Sequence, residues 1–256
     1  MLQRIKIKLK PLNNTILEYN YSYSLSCMLY NKLKVSDEEF TSRYHKEGLR
    51  QNKENKNFKF LNPVLIFNNL TMCDEGVIVN KTNDIELNIG GTDEVLMKII
   101  NGLIIDPICQ IDSTQLKFNG FEYENLNKLG NNTLYKSLTP TITSIQENNK
   151  IKYIEIEDKR YVELLKNNLM KKYKMLFNKE YDNAIDIKIL NPEVAKRKFV
   201  KIKDNIHVIG YKKFDVVIEG NKDVQKVAYC CGIGINNMMG MGNLQMIRGE
   251  DFGKNL

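Results

Sequence analysis

The sequence predicts an α+β protein made of two similar halves, each with the order strand, helix, strand, strand, helix, strand. Its 256 residues suit two domains of about 120–130 residues each. Apolar residues make up 42% of the chain, which is enough to build packed cores. Strand-like alternation and helix-like spacing of apolar residues follow one another in the same order in both halves, and this repeat predicts two copies of one βαββαβ unit.

The first half begins with a strand in which lysines alternate with isoleucine and leucine. A helix follows, with apolar residues at positions i, i+3, i+4 and i+8. Ser36 then precedes an acidic turn containing Glu39, which predicts a capping box for a short helix that ends near His45, before Gly48. Residues 50–59 are polar and basic and predict an exposed loop. Besides the short helix, the elements predicted for this half are helices at 21–34 and 93–105 and strands at 2–10, 58–67, 76–89 and 115–123.

The second half repeats this pattern after an asparagine- and glycine-rich linker at Asn125–Asn132. The longest predicted helix, 159–178, has leucines at helical spacing along one side. We therefore expect an N-terminal domain at residues 1–130 and a C-terminal domain at 137–256. The other elements predicted for this half are a helix at 222–230 and strands at 137–146, 151–156, 184–190, 196–203, 206–219 and 243–248.

Charge favours a polyanionic partner without proving one. The chain has 38 lysine and arginine residues against 31 acidic residues, a net charge of +7. Lys6, Lys8 and Lys10 would share one face of the first strand. A single basic cluster is usually a solvated face, but several clusters among β-forming residues favour a basic sheet surface. The further clusters are Lys171, Lys172 and Lys174; Lys196, Arg197, Lys198, Lys201 and Lys203; and Lys212 and Lys213.

Several classes of protein are disfavoured by the sequence. The cysteine count is odd, the spacing is irregular and no C-x-x-C occurs, which argues against a disulfide framework or a zinc site. We expect neither a metal nor a cofactor. The sequence has no secretory signal pattern and no run of about 18 apolar residues, so we expect a cytoplasmic protein without membrane contact. The five cysteines are Cys27, Cys73, Cys109, Cys230 and Cys231.

The most informative stretch is a glycine-rich loop, residues 232–242, which contains four glycines between a predicted helix and a predicted strand. Glycine tolerates positive φ and close backbone approach, so such a loop can present N–H groups to a phosphate. The spacing matches neither a P-loop nor a dinucleotide-binding fingerprint. From the residues alone, a purely structural connection is an equal alternative.

The run from Val227 to Ile247, VAYCCGIGINNMMGMGNLQMI, resembles the glycine-rich signature of the CRISPR repeat-processing ribonucleases of the RAMP superfamily. That signature has an apolar helix, two glycine–apolar–glycine pairs around a short polar stretch, and an apolar strand. Met239 and Met241 depart from the serine and the aromatic residue common there, and Asn62-Pro63-Val64 replaces an expected Phe/Thr/Ser-rich strand. Four weaker similarities occur in the family's order, at Tyr44–Gly48, Leu138–Pro140, Asn168–Tyr173 and Gly210-Tyr211.

The resemblance implies two tandem ferredoxin-like (RRM-like) domains and metal-independent endoribonuclease activity on precursor CRISPR RNA. His45 lies in the region that holds the family's catalytic histidine, and imidazole suits proton transfer because its usual pKa is near 6.5. We assign His45 as general acid or base, and Tyr30 as a positioning or proton-sharing group with Tyr23 as its alternative. The predicted cation is Lys53, with rivals Arg50, Lys46 and Lys56. His207 is expected to be an ordinary strand residue.

RNA binding is expected from the second half of the chain. Unpaired bases could stack on Tyr211 or Phe199. A guide-RNA-holding subunit that does not cut RNA, and an unrelated metabolic enzyme, are the competing hypotheses. Other subunits of an interference complex, or a second copy of this chain, are further candidate partners. The residues predicted to contact RNA are Gly232, Gly234, Asn236, Asn237, Gly240, Gly242, Lys196, Arg197, Lys198, Lys201, Lys212 and Lys213.

Overall fold

The first half of the chain forms an antiparallel sheet covered by helices. The structure is a computed structural model, and it describes residues 1–48, 58–68, 71–203 and 206–248. The elements of this half are β1 (Leu2–Pro11), β2 (Thr15–Glu18), α1 (Ser22–Ser36), α2 (Glu38–Glu47), β3 (Leu61–Phe67), β4 (Gly76–Val79), β5 (Ile85–Thr92), α3 (Asp93–Ile105), β6 (Ile108–Ile111) and β7 (Thr114–Tyr123).

The sheet of the first half has the order β3-β5-β1-β7-β6, with all pairs antiparallel. Apart from the edge strand β6, this is the order of a ferredoxin-like βαββαβ unit. Ile5, Ile7 and Leu9 alternate along β1, and all three are buried in the core that also contains residues of α1 and α3. The alternation predicted for the first strand is therefore confirmed, because one face of β1 packs against the helices.

The second half repeats the unit and adds two hairpins. Its main sheet has the order β11-β14-β8-β15, with α4 and α5 packed against each other, and the hairpins are β9–β10 and β12–β13. Two ferredoxin-like domains in tandem, the predicted fold class, are confirmed. The elements are β8 (Asn132–Ser137), β9 (Ser144–Glu147), β10 (Lys150–Tyr153), α4 (Lys159–Phe177), β11 (Asp186–Ile189), β12 (Lys196–Lys203), β13 (Ile206–Lys212), β14 (Asp215–Glu219), α5 (Lys222–Cys231) and β15 (Leu244–Arg248).

Two strands predicted as continuous are each divided between two sheets. The segment 76–89 forms β4, which pairs with β2, and then β5, which joins the main sheet; a turn closed by Asn80 and Asn83 separates them. The segment 206–219 likewise forms β13 and β14, and Lys213 turns the chain at φ 69°. Residues 80–84, Asn-Lys-Thr-Asn-Asp, are all polar and interrupt the apolar alternation of the first segment at its turn.

The strand predicted at 137–146 is wrong, because the first strand of the second sheet is β8, which ends at Ser137. Beyond it the Ser137 hydroxyl donates to the Thr139 carbonyl, and Pro140 lacks the N–H that a central strand needs. The chain therefore leaves the sheet after Ser137. Its next strand, β9, begins at Ser144 and belongs to a separate hairpin.

The predicted cap of α2 is wrong by one residue. Ser36 is the last residue of α1, and the N-cap is Asp37, whose carboxylate accepts from the Phe40 N–H at 2.9 Å. Asp37 is extended, with φ −162°, so it interrupts the helical backbone between α1 and α2. One carboxylate therefore ends α1 and starts α2, which allows α2 to pack against α1.

A buried arginine ties the two domains together. Arg4 on β1 is 2% exposed; its Nη1 donates to the carbonyls of Tyr229 and Leu244 at 2.9 and 3.1 Å. Its Nη2 donates to Asn243 Oδ1 at 3.0 Å, and its Nε lies 3.3 Å from a carboxylate oxygen of Glu124. Truncating one partner of such a buried pair costs about 3–5 kcal/mol. This contact fixes the orientation of the two domains across the cleft described next.

Candidate active site

A cleft of about 780 Å³ lies between the two domains. One wall comes from α1, α2 and the segment that enters β3. The opposite wall comes from α4 and the glycine loop, residues 232–242, and Ile202 of the hairpin β12–β13 also lines the space. The cleft therefore places the predicted catalytic segment opposite the glycine-rich stretch.

Tyr30 and His45 meet on the first wall. Tyr30 lies on α1 and His45 lies near the end of α2, and their ring centroids are 5.0 Å apart in an edge-on arrangement. The His45 side chain is exposed, whereas Tyr30 is half-buried. The packing of α2 against α1 behind the Asp37 cap produces this proximity.

The Tyr30 hydroxyl is buried and has no hydrogen-bond partner among the residues that the structure describes. Burial raises the pKa of Tyr30 well above its usual value. The phenol is therefore protonated at neutral pH and can donate a hydrogen bond. Leaving a buried hydroxyl without a hydrogen-bond partner costs about 1–3 kcal/mol, and a substrate oxygen could accept this hydrogen bond.

Lys59 completes a three-residue cluster with these side chains, and sequence reasoning missed it. Its Nζ lies 5.1 Å from the centroid of the Tyr30 ring, and its carbonyl accepts from the Tyr44 hydroxyl. Burial lowers the pKa of Lys59 from its usual value. The available signal was its place between Phe58 and Phe60, whose stacked rings, 5.6 Å apart, anchor the segment on either side of it.

The other candidates near the cluster have different outcomes. Lys53, Arg50 and Lys56 lie outside the described residues. Lys46 is exposed near the end of α2, and Tyr23 lines the cleft with 42% of its side chain exposed. His207 is not among the residues that line the cleft; it is exposed on β13, where its carbonyl accepts from the Tyr153 hydroxyl.

Backbone conformation and close packing explain why the glycine loop has glycine at four positions. Gly232, Gly234, Gly240 and Gly242 have φ values of 72°, 70°, 77° and 67°, which disfavour any side chain. A Cβ at each position would also collide with the protein itself: with the Asn62 amide, the Ile142 carbonyl, the Pro63 carbonyl and the Ile233 carbonyl, respectively. The loop is thus packed between both domains, and its predicted RNA contacts stay predictions.

Lys172 holds the glycine loop from below. It is 2% exposed, and its Nζ donates to the carbonyls of Gly232 and Gly234 at 2.7 and 3.1 Å and to Asn237 Oδ1 at 2.7 Å. The Asn237 amide nitrogen donates in turn to the carbonyls of Ile233 and Met241. The Asn237 side chain is therefore bonded within the loop, while Asn236 adopts the left-handed conformation that starts its turn.

The hairpin β12–β13, here called the basic hairpin, carries the main predicted RNA-binding lysines. Lys196 pairs with Lys212 across the strands, and Lys198 and Lys213 lie close by. Burial, followed by the neighbouring charges of Lys198, Lys213 and Lys196, lowers the pKa of Lys212. These four ammonium groups repel one another, and a bound polyanion would reduce that repulsion.

The aromatic residues of the basic hairpin differ from expectation in one case. Phe199 is 62% exposed, and the Arg197 guanidinium covers its ring at 4.8 Å while pairing with Glu155 at 3.0 Å. Tyr211 is only 5% exposed and packs edge-on against Tyr161. The expectation that bases stack on Tyr211 is therefore wrong, because its ring belongs to the core, whereas Phe199 is accessible.

The remaining predictions concern the lysines of β1, a metal site and a membrane-spanning helix. Lys8 and Lys10 project from β1 but pair with Glu122 and Asp84, so this basic face is partly neutralised. Among the described residues, no group of three His, Cys, Asp or Glu side chains is arranged to hold a metal ion. None of the helices in the described ranges is long and apolar enough to cross a membrane.

Comparison with known proteins gives matches over nearly the whole chain. Residues 123–246 match the family model "CRISPR associated protein Cas6, C-terminal". A curated relative from Methanocaldococcus jannaschii, "CRISPR-associated endoribonuclease Cas6 1", is 24% identical, with 93% of this chain and 91% of the relative covered.

Two solved structures share the fold. "CRISPR associated protein Cas6" is 23% identical at a TM-score of 0.79, covering 97% of this chain and 100% of the other. "An RAMP protein binding different RNA substrates" is 18% identical, also at 0.79, covering 96% of this chain and 100% of the other. This chain is therefore similar to Cas6 CRISPR-associated proteins, by a family match over residues 123–246 and by a fold shared across both halves.

Proposed function

We propose that this protein is an endoribonuclease that cleaves precursor CRISPR RNA at one site within each repeat. The observation that carries the proposal is the cluster of His45, Tyr30 and Lys59 on one wall of a cleft between two ferredoxin-like domains. The name of the curated relative, an endoribonuclease, supports the same activity.

RNA supplies its own nucleophile, so cleavage needs no metal-bound water. The 2′-oxygen attacks the adjacent phosphorus, the bond to the 5′-oxygen breaks, and the products carry a 2′,3′-cyclic phosphate and a 5′-OH. An enzyme must align the two oxygens, move a proton from one to the other, and stabilise the charge on phosphorus. The residues of the first wall can divide these three tasks.

His45 is proposed to transfer protons, because its exposed imidazole lies at the cleft beside Tyr30. Tyr30 is proposed to position the phosphate or an attacking oxygen by donating a hydrogen bond. Its buried hydroxyl lacks a partner in the described part of the chain, and its raised pKa disfavours a role as a base. These two roles require different groups, which fits a site with one imidazole and one phenol.

The cation that stabilises the phosphorane has candidates from the sequence and from the geometry. The sequence predicts Lys53, with Arg50, Lys46 and Lys56 as rivals, and of these four only Lys46 belongs to the described residues. Lys59 is the candidate supported by geometry, since its ammonium faces the Tyr30 ring and its backbone is held by Tyr44. Lys53→Met and Lys59→Met should separate them, because the true stabiliser should lower single-turnover cleavage more than RNA affinity.

RNA is proposed to bind along the basic hairpin and into the cleft. The ammonium groups of Lys196, Lys198, Lys212 and Lys213 would contact phosphates, and Ile202 connects this hairpin to the cleft wall. Binding through phosphates releases counterions, so affinity for repeat RNA should fall steeply with salt.

The test is cleavage of the organism's own repeat RNA in EDTA by wild type, His45→Ala and His207→Ala. We expect one cut in wild type and in His207→Ala, and a cleavage rate roughly 10²–10⁴ lower in His45→Ala with RNA affinity kept. His207→Ala is matched, because it also removes an exposed imidazole, but from the basic hairpin and not from the residues that line the cleft.

Other results would reject parts of this proposal. Cleavage by His45→Ala at the wild-type rate would exclude His45 from proton transfer. RNA binding without cleavage by any of the three proteins would instead support a subunit that holds guide RNA.

A further inference from the structure

Lys172 is a buried amine whose hydrogen-bond acceptors are all uncharged. Its three contacts are two glycine-loop carbonyls and the Asn237 amide oxygen, and no carboxylate in the described ranges pairs with it. Burying an ammonium ion costs several kcal/mol unless a partner repays it. Since Lys172 also lines the cleft, a bound phosphate is a natural source of the missing negative charge.

The contacts of Lys172 join three parts of the wall. The lysine projects from α4, and the carbonyls it bonds come from the first half of the glycine loop. Asn237 links that half to Met241 in the second half. Moving or neutralising the ammonium would therefore loosen the whole loop, because no other side chain of the described residues bonds to both Gly232 and Gly234.

We propose that Lys172 is a positioning residue for RNA, whose protonated amine clamps the glycine loop and is held more firmly when an RNA phosphate occupies the cleft. This inference rests on the proposed function. Lys172 acts through the loop, and the phosphate acts on Lys172 through the low-dielectric interior, where charges interact more strongly than in water.

Proton uptake should accompany RNA binding near neutral pH. Burial lowers the pKa of Lys172 to about 7 in the free protein, so part of the population is neutral there. A nearby phosphate favours the charged amine and raises its pKa. Affinity is then fully present below pH 7 and falls as pH rises above it, by at most about tenfold per pH unit for one linked proton.

Several titratable groups face Lys172 and must be controlled. Cys231 on α5 interacts with it electrostatically, and burial raises the pKa of the Cys231 thiol to about 12, so the thiol stays neutral in this window. Lys171 is its neighbour on α4. Across the cleft lie Lys59, Tyr30 and His45. A His45→Ala background removes that imidazole and keeps the RNA uncut during binding.

The experiment measures the dissociation constant of repeat RNA from pH 6 to 9 in the His45→Ala background. Further variants are Lys172→Met, Lys172→Arg and, as the matched control, Lys171→Met. The parent and Lys171→Met should lose about three- to fivefold in affinity from pH 7 to 8. Lys172→Arg should show a flat profile because guanidinium stays charged, and Lys172→Met should be flat and weaker at pH 6.

The outcomes separate this inference from the proposed function. An unchanged pH dependence in Lys172→Met or in Lys172→Arg overturns the role of Lys172 while leaving RNA binding intact. No binding by the parent at any pH overturns the proposed function as well. Thermal unfolding of each variant identifies misfolding; if only Lys172→Arg folds, its profile against the parent decides alone.

Discussion

The two walls of the cleft differ in how fully their polar groups are bonded. On the first wall, the Tyr30 hydroxyl lacks a partner among the described residues, and the His45 side chain is exposed. On the second wall, Lys172 donates three hydrogen bonds and Asn237 uses both ends of its amide. Both walls face the same cleft. The first leaves polar groups available to a ligand, whereas Lys172 and Asn237 of the second are already fully bonded.

This difference indicates a division of labour. Groups that take part in a reaction must exchange partners during it, so they are poorly satisfied in the free protein. Groups that set a shape must keep their partners, so they are saturated and buried. The glycine loop belongs to the second kind, and we infer that it shapes the cleft more than it supplies free donors.

The largest expected effect tests the rigidity of the second wall. In Gly242→Ala, the new Cβ would collide with the Ile233 carbonyl at a residue with φ 67°. We expect a loss of about 3 kcal/mol or more in the free energy of unfolding. Gly120→Ala is the control, since φ is 105° there but no atom lies within 4 Å of the added Cβ.

Chemical denaturation of both variants measures this difference. Gly120→Ala should lose about 1–2 kcal/mol, from backbone strain alone. Equal losses would mean that the glycine loop shifts to accommodate a side chain, and the second wall would then be no more rigid than the open position at Gly120.

Local sequence patterns predicted the elements better than their partners. Ile5, Ile7 and Leu9 alternate within one strand, so a few neighbouring residues contain the whole signal. The division of 76–89 and 206–219 between sheets depends instead on distant strands. A period-two pattern states that a segment is extended, but it does not state which sheet the segment joins.

The same limit applies to the site. His45 and Tyr30 were found through a family resemblance, and their contact arises from tertiary packing of α1 and α2. The sequence does not identify Lys59, because its place at the site depends on the contact with Tyr44 and on the packing of the flanking phenylalanine rings, which only the folded chain shows. The sequence predicts Lys172 as part of a basic surface cluster, but its spacing from Leu165 and Leu169 places it on the buried face of α4.

The next effect in size tests the unsatisfied hydroxyl of the first wall. Tyr30→Phe removes only this group, and we expect single-turnover cleavage to fall about 10- to 100-fold, since one well-placed donor in a transition state is worth roughly 1.4–2.7 kcal/mol. Stability should be unchanged or slightly higher, because a buried donor without a described partner is removed.

Tyr23→Phe is the matched control for this prediction, because Tyr23 also lines the cleft from α1. It should retain near-normal cleavage. Normal cleavage by Tyr30→Phe together with a slow Tyr23→Phe would transfer the positioning role to Tyr23, and lowered stability in Tyr30→Phe would show that the hydroxyl is structural.

The smallest expected effect concerns the basic hairpin, which lies beside both walls. Stacking of one base on an aromatic ring is worth about 1–3 kcal/mol. The Phe199 ring is already covered on one face by Arg197, which is itself held by Glu155, so only the other face is open to RNA. We therefore expect Phe199→Ala to weaken binding of repeat RNA by about 1 kcal/mol, or fivefold, in a titration at fixed salt.

Ile206→Ala is the control, because Ile206 lies on the same hairpin with 59% of its side chain exposed but offers no ring. Its affinity should match wild type, and the salt dependence of both variants should stay unchanged, because neither change removes a phosphate contact. An equal loss in both variants would mean that the hairpin binds through apolar area rather than stacking. A shallower salt dependence in Phe199→Ala would mean that the ring positions Arg197 for phosphate, and the hairpin would then resemble the second wall, where one group acts by fixing another.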